Sequence, residues 1–394
     1  MSEEVTFSEM ARQTDRELFQ IDHLVDWLEM LTPTNLDSVE KGFKASGYRT
    51  LPELCYPDIP DGFDSLRDRL MALTVRGIGN SDIEALLIEK QRELDRQIEL
   101  VRLRGRSGFT MAAIDMFGNV DATLLESARK VLRNVPAEDR IVSKKVDVED
   151  FMTAGREEMR LYQQRDPRFD FKVVKERTPG THLFTSSGNL HVAYDYVCPE
   201  TRLNPLIQHE IGVHSVTRFN GSLQPLRMLE GGLADYDDLQ EGLAVLAEYL
   251  CGDMPPSRLR VLAARVIAAR MAIDEEPAAS IYAAMREEYD LDEDIAFDTT
   301  VRALRGGGMT KDALYLDGLI DVLAYLKNGG DIDFLFIGKF GFKQRAVLQR
   351  LLDAGFLKPA ALIPDIFTGR DGRQRLANLR RLNIEQLYTE SIAA

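Results

Sequence analysis

The sequence predicts a mainly helical α+β fold with a small central sheet, and three observations support this prediction. The chain has 394 residues, 44% of them apolar, which is enough for a substantial core. Apolar residues recur at helical spacing through most of residues 8–164 and again through most of residues 203–382. Between these parts, short alternating segments are separated by turns with Pro and Gly, a pattern typical of strands.

The amino-terminal part is expected to consist of helices joined by short turns. Apolar spacing predicts one helix over residues 8–31, which ends before a Thr-Pro-Thr sequence. Asn80 is a suitable cap for a long helix over residues 83–103, and a further helix is predicted over residues 121–132. The apolar stripe of the long helix is too short for sustained heptads, so core packing is favoured over a partner-binding coiled coil.

A polar stretch of mixed charge over residues 136–147 is the best candidate for a domain boundary. It would separate an amino-terminal helical region, residues 1–147, from a catalytic region, residues 148–394. The second region starts with a predicted helix over residues 148–164. The two regions are expected to form either separate domains or one integrated unit.

The predicted sheet lies in the middle of the chain. Residues 171–174 and 189–194 alternate or run as short strands. We expect the second of these to be an edge strand, which could pair with an extended peptide substrate.

Composition excludes several classes of function. Lys and Arg number 49 against 64 for Asp and Glu, so the net charge is −15, which disfavours binding to nucleic acid or to an anionic membrane surface. No apolar run approaches the roughly 20 residues that span a bilayer, and the acidic amino terminus does not resemble a secretory signal. Three cysteines without a CxxC pair suit a reducing compartment. We therefore expect a cytoplasmic protein that acts on neither nucleic acids nor membranes.

The chemistry is concentrated around two of the five histidines, which lie in the hexapeptide HEIGVH at residues 209–214. This HExxxH motif resembles a metal motif, but its histidines are five residues apart, or ~140° on a regular α-helix. A π-bulge would bring His209 and His214 to within roughly 50° of each other, and Gly212 would lower the strain of such a bulge. The sequence thus predicts a distorted helix that binds a metal. The alternative is two histidines that are packed or solvated separately.

A zinc site needs a third protein ligand, with water in the fourth position. Glu241 lies on a predicted helix, far enough after His214 for a loop and a return helix. Glu248 lies seven residues later, ~20° away on the same face, as a rival ligand or a partner of a ligand. The alternative for Glu241 is a simple helix cap.

With one Zn²⁺ held by His209, His214 and Glu241, the role of Glu210 follows. It would act as a general base toward metal-activated water and return the proton to the leaving amine. No serine lies in a GxSxG context, and the Glu-x-x-His pairs of a di-iron bundle do not occur. These absences favour amide hydrolysis without a covalent intermediate.

The sequence QEGLA at residues 240–244, together with HEIGVH, resembles the bacterial flavohemoglobin expression-modulating QEGLA-motif family. That family is related to the microtubule-associated tyrosine carboxypeptidase of animals, and the likeness continues through residues 310–318. The resemblance implies a zincin-like metallopeptidase core and a zinc metallocarboxypeptidase, with His209, His214 and Glu241 as ligands and Glu210 as the acid/base. The animal enzyme acts on tubulin, whereas this acidic chain shows no basic segment that suits an acidic partner. The resemblance is therefore taken to imply the reaction class and not the substrate.

A carboxypeptidase must also bind the terminal carboxylate of its substrate, usually with an arginine. We expect Arg302 or Arg305 in this role, because they precede the shared block at residues 310–318. Other basic candidates are Lys311, Arg218 and Arg227. Tyr315 or Asn220 could donate a hydrogen bond to the developing oxyanion. For each of these residues, a surface ion pair or a buried structural role is the alternative.

The sequence therefore predicts a zinc-dependent carboxypeptidase that cleaves the C-terminal amide bond of a peptide or protein. One alternative is a metal-dependent amidase acting on a small molecule. Others are a regulatory protein with a structural metal and a helical interaction module without a metal. A structural zinc site has no need of an acid beside its ligand and normally has four protein ligands, so Glu210 favours catalysis.

Overall fold

The computed structural model describes residues 7–137, 143–177, 183–252, 254–305 and 308–388. It is mainly helical with a small sheet, as predicted. Amino-terminal to the sheet, the helices are α1 (Glu9–Asp22), α2 (Trp27–Leu31), α3 (Leu36–Ala45), α4 (Phe63–Met71), α5 (Ser81–Leu103), α6 (Phe109–Phe117), α7 (Ala122–Asn134) and α8 (Val148–Arg165).

The predicted helix over residues 8–31 is in fact two helices, α1 and α2. The indole Nε1 of Trp27 donates to the backbone carbonyl and the carboxylate of Asp22, 3.0 Å in each case, where α1 ends. The carboxylate of Asp26 then accepts from the backbone N–H of Glu29 and caps α2. Local capping thus overrides a continuous apolar pattern. The other predicted helices are confirmed as α5, with Asn80 as its cap, α7 and α8.

The sheet contains β2 (Val173–Glu176), β3 (Leu183–Ser186) and β4 (Asn189–Ala193) in the spatial order β2-β4-β3. Strand β4 is parallel to β2 and antiparallel to β3. The expectation that residues 189–194 form an edge strand is therefore wrong, because both sides of β4 are paired. A short antiparallel pair joins β1 (Lys145–Val146) to β5 (Cys198–Pro199).

Helices also dominate the chain after the sheet. A short α9 (Leu203–Ile207) leads into a π-helix (Gln208–Ser215), and a second π-helix covers Ala284–Glu288. Short 3₁₀ turns lie at Glu200–Arg202, Asp333–Phe336, Phe342–Gln344 and Ile384–Gln386. The remaining helices are α10 (Val216–Ser222), α11 (Met228–Gly231), α12 (Asp237–Leu250), α13 (Pro256–Ile273), α14 (Ala278–Ala283), α15 (Glu293–Leu304), α16 (Thr310–Lys327), α17 (Arg345–Asp353), α18 (Asp365–Thr368) and α19 (Arg370–Leu379).

Helix α12 lies at the centre of the molecule and packs against both α16 and the first π-helix. Nearly all its side chains from Leu239 onward are buried, as expected of a helix that is enclosed by others. It crosses α16 at two glycines. A Cβ added to Gly242 would lie 2.2 Å from the carbonyl carbon of Gly318, and one added to Gly318 would lie 1.9 Å from the backbone oxygen of Asp238. The two backbones are therefore in direct contact.

The hydrophobic core runs through both predicted regions, since buried apolar side chains from before and after residue 148 belong to one cluster. Helix α7 packs on α13, and Arg260 of α13 donates to the backbone oxygens of Leu132 and Val135. Part of the predicted boundary, residues 138–142, lies outside the described residues. The division at residue 148 stays a prediction. No helix in the described part of the chain has the length and apolar character needed to cross a membrane.

Candidate metal centre

The predicted helical distortion at HEIGVH is confirmed, because Gln208–Ser215 forms a π-helix. The imidazole rings of His209 and His214 face the same region, with their centroids 5.1 Å apart. Gly212 has a further role here. A Cβ at this position would lie 2.6 Å from the side-chain oxygen of Gln208, so the absence of a side chain prevents a clash.

The structure brings the three predicted ligands together. Their ligand atoms lie within 4.8 Å of one another. The Oε2 atom of Glu241 is 3.6 Å from Nε2 of His209 and 3.7 Å from Nε2 of His214. Ligand atoms of a tetrahedral zinc ion with bonds of about 2.0–2.1 Å would be separated by roughly 3.4 Å.

The orphaned oxygen of Glu241 supports the fit of a metal. Its Oε2 is buried and has no hydrogen-bond partner among the described residues. An unsatisfied buried carboxylate oxygen is costly and calls for an explanation. A cation between this oxygen and the two imidazole nitrogens would provide one. The residues present therefore fit a metal ion.

Glu248, the rival ligand in the sequence, lies behind His209 instead. Its Oε1 is 2.9 Å from Nδ1 of His209. It is fully buried and also accepts hydrogen bonds from Arg202 and Arg258. A carboxylate in this position fixes the orientation of the imidazole and keeps Nε2 directed at Glu241.

Glu210 lies beside the three residues, with its Oε1 4.0 Å from Nε2 of His209. Its other oxygen, Oε2, accepts a hydrogen bond of 2.8 Å from the hydroxyl of Thr185 on β3. Burial raises the pKa of Glu210 above its ordinary value of 4.5. A carboxyl with a raised pKa in an enclosed site can both accept and return a proton near neutral pH.

The two histidines have opposite environments. Burial disfavours a charge on His209, but the neighbouring carboxylates of Glu241 and Glu248 raise its pKa to about 10. Burial lowers the pKa of His214 to about 3. Burial also opposes ionisation of Glu241, yet the nearby imidazole of His209 lowers its pKa to about 2. Glu241 is thus an anion, as a metal ligand must be, and a metal would compete with the proton of His209.

The structure places the predicted arginines away from this role. Arg302 forms two hydrogen bonds of 2.6 Å to the carboxylate of Asp312, which occupies the side of the guanidinium that would bind a substrate carboxylate. Arg305 is largely enclosed, and burial lowers its pKa. Arg227 is paired with Glu230 and stacks on Phe19. The contacts of Arg302 and Arg227 favour structural roles for these two arginines.

Asn220 is also committed to the fold. Its side-chain amide donates to the backbone oxygens of Phe336 and Leu362, and its oxygen accepts from the backbone N–H of Leu362. Both amide hydrogens are used, so its predicted role as an oxyanion donor does not fit this bonding. Burial raises the pKa of Tyr315 well above its ordinary value, and the negative charge of Glu241 raises it further. Tyr315 therefore lies near Glu241.

A cavity of about 300 Å³ lies next to the metal centre. Two predicted basic residues, Lys311 and Arg218, line it, and so does Thr185, the hydrogen-bond partner of Glu210. Lys311 forms an ion pair with Asp237 at the start of α12. Lys339, which had no signal in the sequence, lines the cavity as well.

Sequence reasoning missed several residues that support the centre: Thr185, Arg202, Arg258 and Lys339. For Arg202 and Arg258, the sequence signal was the second interpretation of Glu248, as a partner of a ligand. A buried carboxylate in that position requires cationic partners. Thr185 could have been found only if β3 had been predicted.

Comparison with known proteins identifies the family of the chain. The sequence profile of the family described as microtubule-associated tyrosine carboxypeptidase matches residues 41–383. Microtubule-associated tyrosine carboxypeptidase 1 of Rattus norvegicus is 29% identical over 195 residues, which cover 46% of this chain and 40% of the rat protein. The Homo sapiens protein of the same name is 31% identical over 152 residues, which cover 35% of this chain and 30% of the human one.

The matched segments thus span less than half of these relatives. No solved structure matches the chain. The profile nevertheless covers most of the sequence, including HEIGVH and QEGLA. The chain therefore belongs to the microtubule-associated tyrosine carboxypeptidase family.

Proposed function

We propose that this protein is a zinc-dependent carboxypeptidase acting on the C-terminal amide bond of a peptide or protein. One observation carries the proposal: the buried, unpartnered Oε2 of Glu241 lies 3.6 and 3.7 Å from two imidazole nitrogens, and Glu210 lies beside them. The family supports the reaction class, because its name describes a carboxypeptidase.

His209, His214 and Glu241 would hold the metal. Zinc bound there would act as a Lewis acid toward the scissile carbonyl and make water more acidic. Glu248 holds His209 through Nδ1, so Nε2 of this ring is the nitrogen available for a ligand bond. The ion pairs from Arg202 and Arg258 keep Glu248 anionic, and its pKa stays well below the ordinary value despite burial.

Glu210 is the residue that moves a proton. The hydroxyl of Thr185 holds its Oε2, which orients the carboxylate, while Oε1 faces His209. Since burial raises its pKa, Glu210 can take a proton from the attacking water and later give it to the leaving amine. In a structural metal site such an acid would have no task, and a fourth protein ligand would be expected.

The sheet offers a way to align an extended substrate. Among the described strands, β3 pairs with β4 alone, so its other side can accept a peptide backbone. Thr185 of β3 also contacts Glu210, so a peptide along this strand would have its scissile bond near the proposed base. The proposal aligns the peptide with β3, because both sides of β4 are already paired.

Metal content and peptide cleavage test the proposal together. We expect about one zinc per chain by mass spectrometry and removal of single residues from the carboxy termini of a peptide library. Glu210→Gln should keep its zinc but lose activity by about 10²–10⁴-fold. Glu126→Gln, a change at an exposed ion pair with Arg133, serves as the matched control. Stoichiometric zinc without cleavage of peptides or N-acyl amino acids would contradict the catalytic role.

A further inference from the structure

The cavity beside the metal centre has two chemically different ends. Its apolar wall comes largely from the amino-terminal helices and includes Trp27, Leu28 and Leu31 of α2. Its polar end is lined by Thr185, Lys311 and Lys339. Thr185 also donates to Glu210, which lies beside His209, so this end adjoins the candidate metal centre.

The cations of the cavity differ in their partners. Arg218 forms an ion pair of 3.0 Å with Glu230, and Lys311 is paired with Asp237. Lys339 forms no ion pair with any residue in the described part of the chain; its ammonium lies 5.6 Å from the ring centroid of Tyr236. Lys339 is therefore the lining cation without an ion pair among the described residues, and the carboxylates of Asp237 and Glu241 act on it only at longer range.

The carboxylates that line the cavity are already engaged. Asp22 accepts a hydrogen bond from Trp27 and lies 3.8 Å from the ammonium of Lys90. Asp26 caps α2, and Asp237 is the partner of Lys311. None of these three is bonded to Lys339.

An enclosed ammonium without a counterion is unfavourable. Burial, followed by the neighbouring Arg218, lowers the pKa of Lys339 to about 8. Such a cost is typical of functional sites, where a ligand supplies the missing charge. A ligand that carries a carboxylate would supply it here.

We propose that Lys339 binds the terminal α-carboxylate of the substrate and that the cavity holds the terminal residue against the wall formed by α2. This inference rests on the proposed function and names the substrate-binding subsite. A volume of about 300 Å³ lies at the lower end of ligand pockets, which are roughly 300–1,000 Å³, and suits a single residue. Lys339 takes the place of Arg302 and Arg305, which do not line this cavity.

The test compares binding of two forms of one probe, fluorescein-labelled pentaglycyl-tyrosine with a free carboxylate or with a carboxamide end. Zinc-loaded, full-length Glu210→Gln protein serves as the parent, so that the probe is not consumed, and binding is followed by fluorescence anisotropy. We expect the parent to prefer the carboxylate form. Adding Lys339→Met should weaken binding of that form by at least about tenfold and abolish the preference, whereas Lys339→Arg should keep it.

Two controls separate binding from folding. Lys343→Met removes an exposed lysine that pairs with Asp235 and should leave the preference unchanged. The melting temperature of Lys339→Met should equal or exceed that of the parent, because an unbalanced buried charge is removed. A structural role for Lys339 would instead lower it.

The outcomes also separate this inference from the proposed reaction. A preference for the carboxylate that survives Lys339→Met, or a parent that shows no preference or no binding, overturns the role of Lys339. If the protein with Glu210 cleaves no peptide but Lys339→Met still abolishes the preference, the reaction is wrong and the carboxylate site stands. If the protein instead cleaves peptides with a KM that Lys339→Met does not change, the reaction stands and the role of Lys339 is wrong.

Discussion

Two clusters of buried charge in this molecule differ in whether their hydrogen bonding is complete. In the first, the ammonium of Lys90 donates to Glu93 at 2.6 Å, and the other oxygen of Glu93 accepts from the backbone N–H of Asp235 at 2.7 Å. In the second, the metal centre, Glu248 is fully bonded but Oε2 of Glu241 is not. Both clusters are enclosed by the same core.

The difference indicates what each cluster does. A closed network joins α5 to the segment before α12 and needs nothing further, so its role is structural. A network with a buried anion left open has a cost that only a bound cation removes. Changes in the closed cluster should therefore affect stability, and changes in the open cluster should affect binding.

The largest effect is expected from Glu241→Ala. Removal of the open carboxylate should reduce the zinc content to background and abolish peptide cleavage, because two imidazoles alone leave the site incomplete. Metal content by mass spectrometry and the melting temperature of the chelator-treated protein are the measurements. The contrast between the clusters would be wrong if Glu241→Ala kept its zinc and its chelator-treated form were much less stable than chelator-treated wild type.

Lys90→Met should reduce stability and leave zinc binding intact, the reverse of Glu241→Ala. It leaves Glu93 buried without its cation and should lower the free energy of unfolding by about 3–5 kcal/mol, measured by urea denaturation. Zinc content should not change. Lys44→Met removes an exposed lysine paired with Glu293 and should leave the free energy of unfolding almost unchanged. An equal change in the free energy of unfolding for both variants would show that the buried Lys90 pair contributes no more than an exposed pair.

Asp15 lies between the two cases, because the hydrogen bonds that its carboxylate accepts from described residues come from the backbone N–H groups of Arg227 and Met228. Burial raises its pKa from 3.8 to about 6. Ionisation is therefore harder in the folded protein, and stability present below pH 3.8 should be lost as the pH rises through about 6. The loss should reach at most about 3 kcal/mol. The measurement is the free energy of unfolding of wild type and Asp15→Asn, from urea titrations between pH 4 and roughly 7. A difference between the two proteins that stays constant with pH would show that the pKa of Asp15 is not shifted.

The smallest effect is expected from Glu248→Gln, because this residue supports a ligand without being one. Zinc affinity should fall by about 10–100-fold, measured by competition with a chelator, while stoichiometric binding is still reached at high zinc. A complete loss of binding, as expected for Glu241→Ala, would instead identify Glu248 as a ligand.

The sequence predicted the helical distortion at HEIGVH well, because that argument was local. The spacing of His209 and His214 allows a shared metal only if the helix is distorted, and the π-helix is there. The helix faces of Glu241 and Glu248 differ by only ~20°, so helical geometry alone could not choose between them. The packing of α12 against the π-helix determines that Glu241, and not Glu248, lies near both imidazoles.

The features that sequence reasoning missed depend on contacts between distant segments. The order β2-β4-β3 is set by pairing across the sheet, and no residue of β4 indicates that both its sides are occupied. Lys339 lies in an apolar stretch without a motif, and only the fold brings it beside Lys311 and the amino-terminal helices. Arg302 had a family argument in its favour but pairs with Asp312.

The glycine crossing of α12 and α16 has a mechanical consequence. With the backbones touching at Gly242 and Gly318, no side chains lie between the helices that could rearrange there. Glu241 on α12 and Lys311 on α16 must then move as one rigid body. If a peptide binds as proposed, adjustment to terminal residues of different size would therefore fall to α2, which carries Trp27.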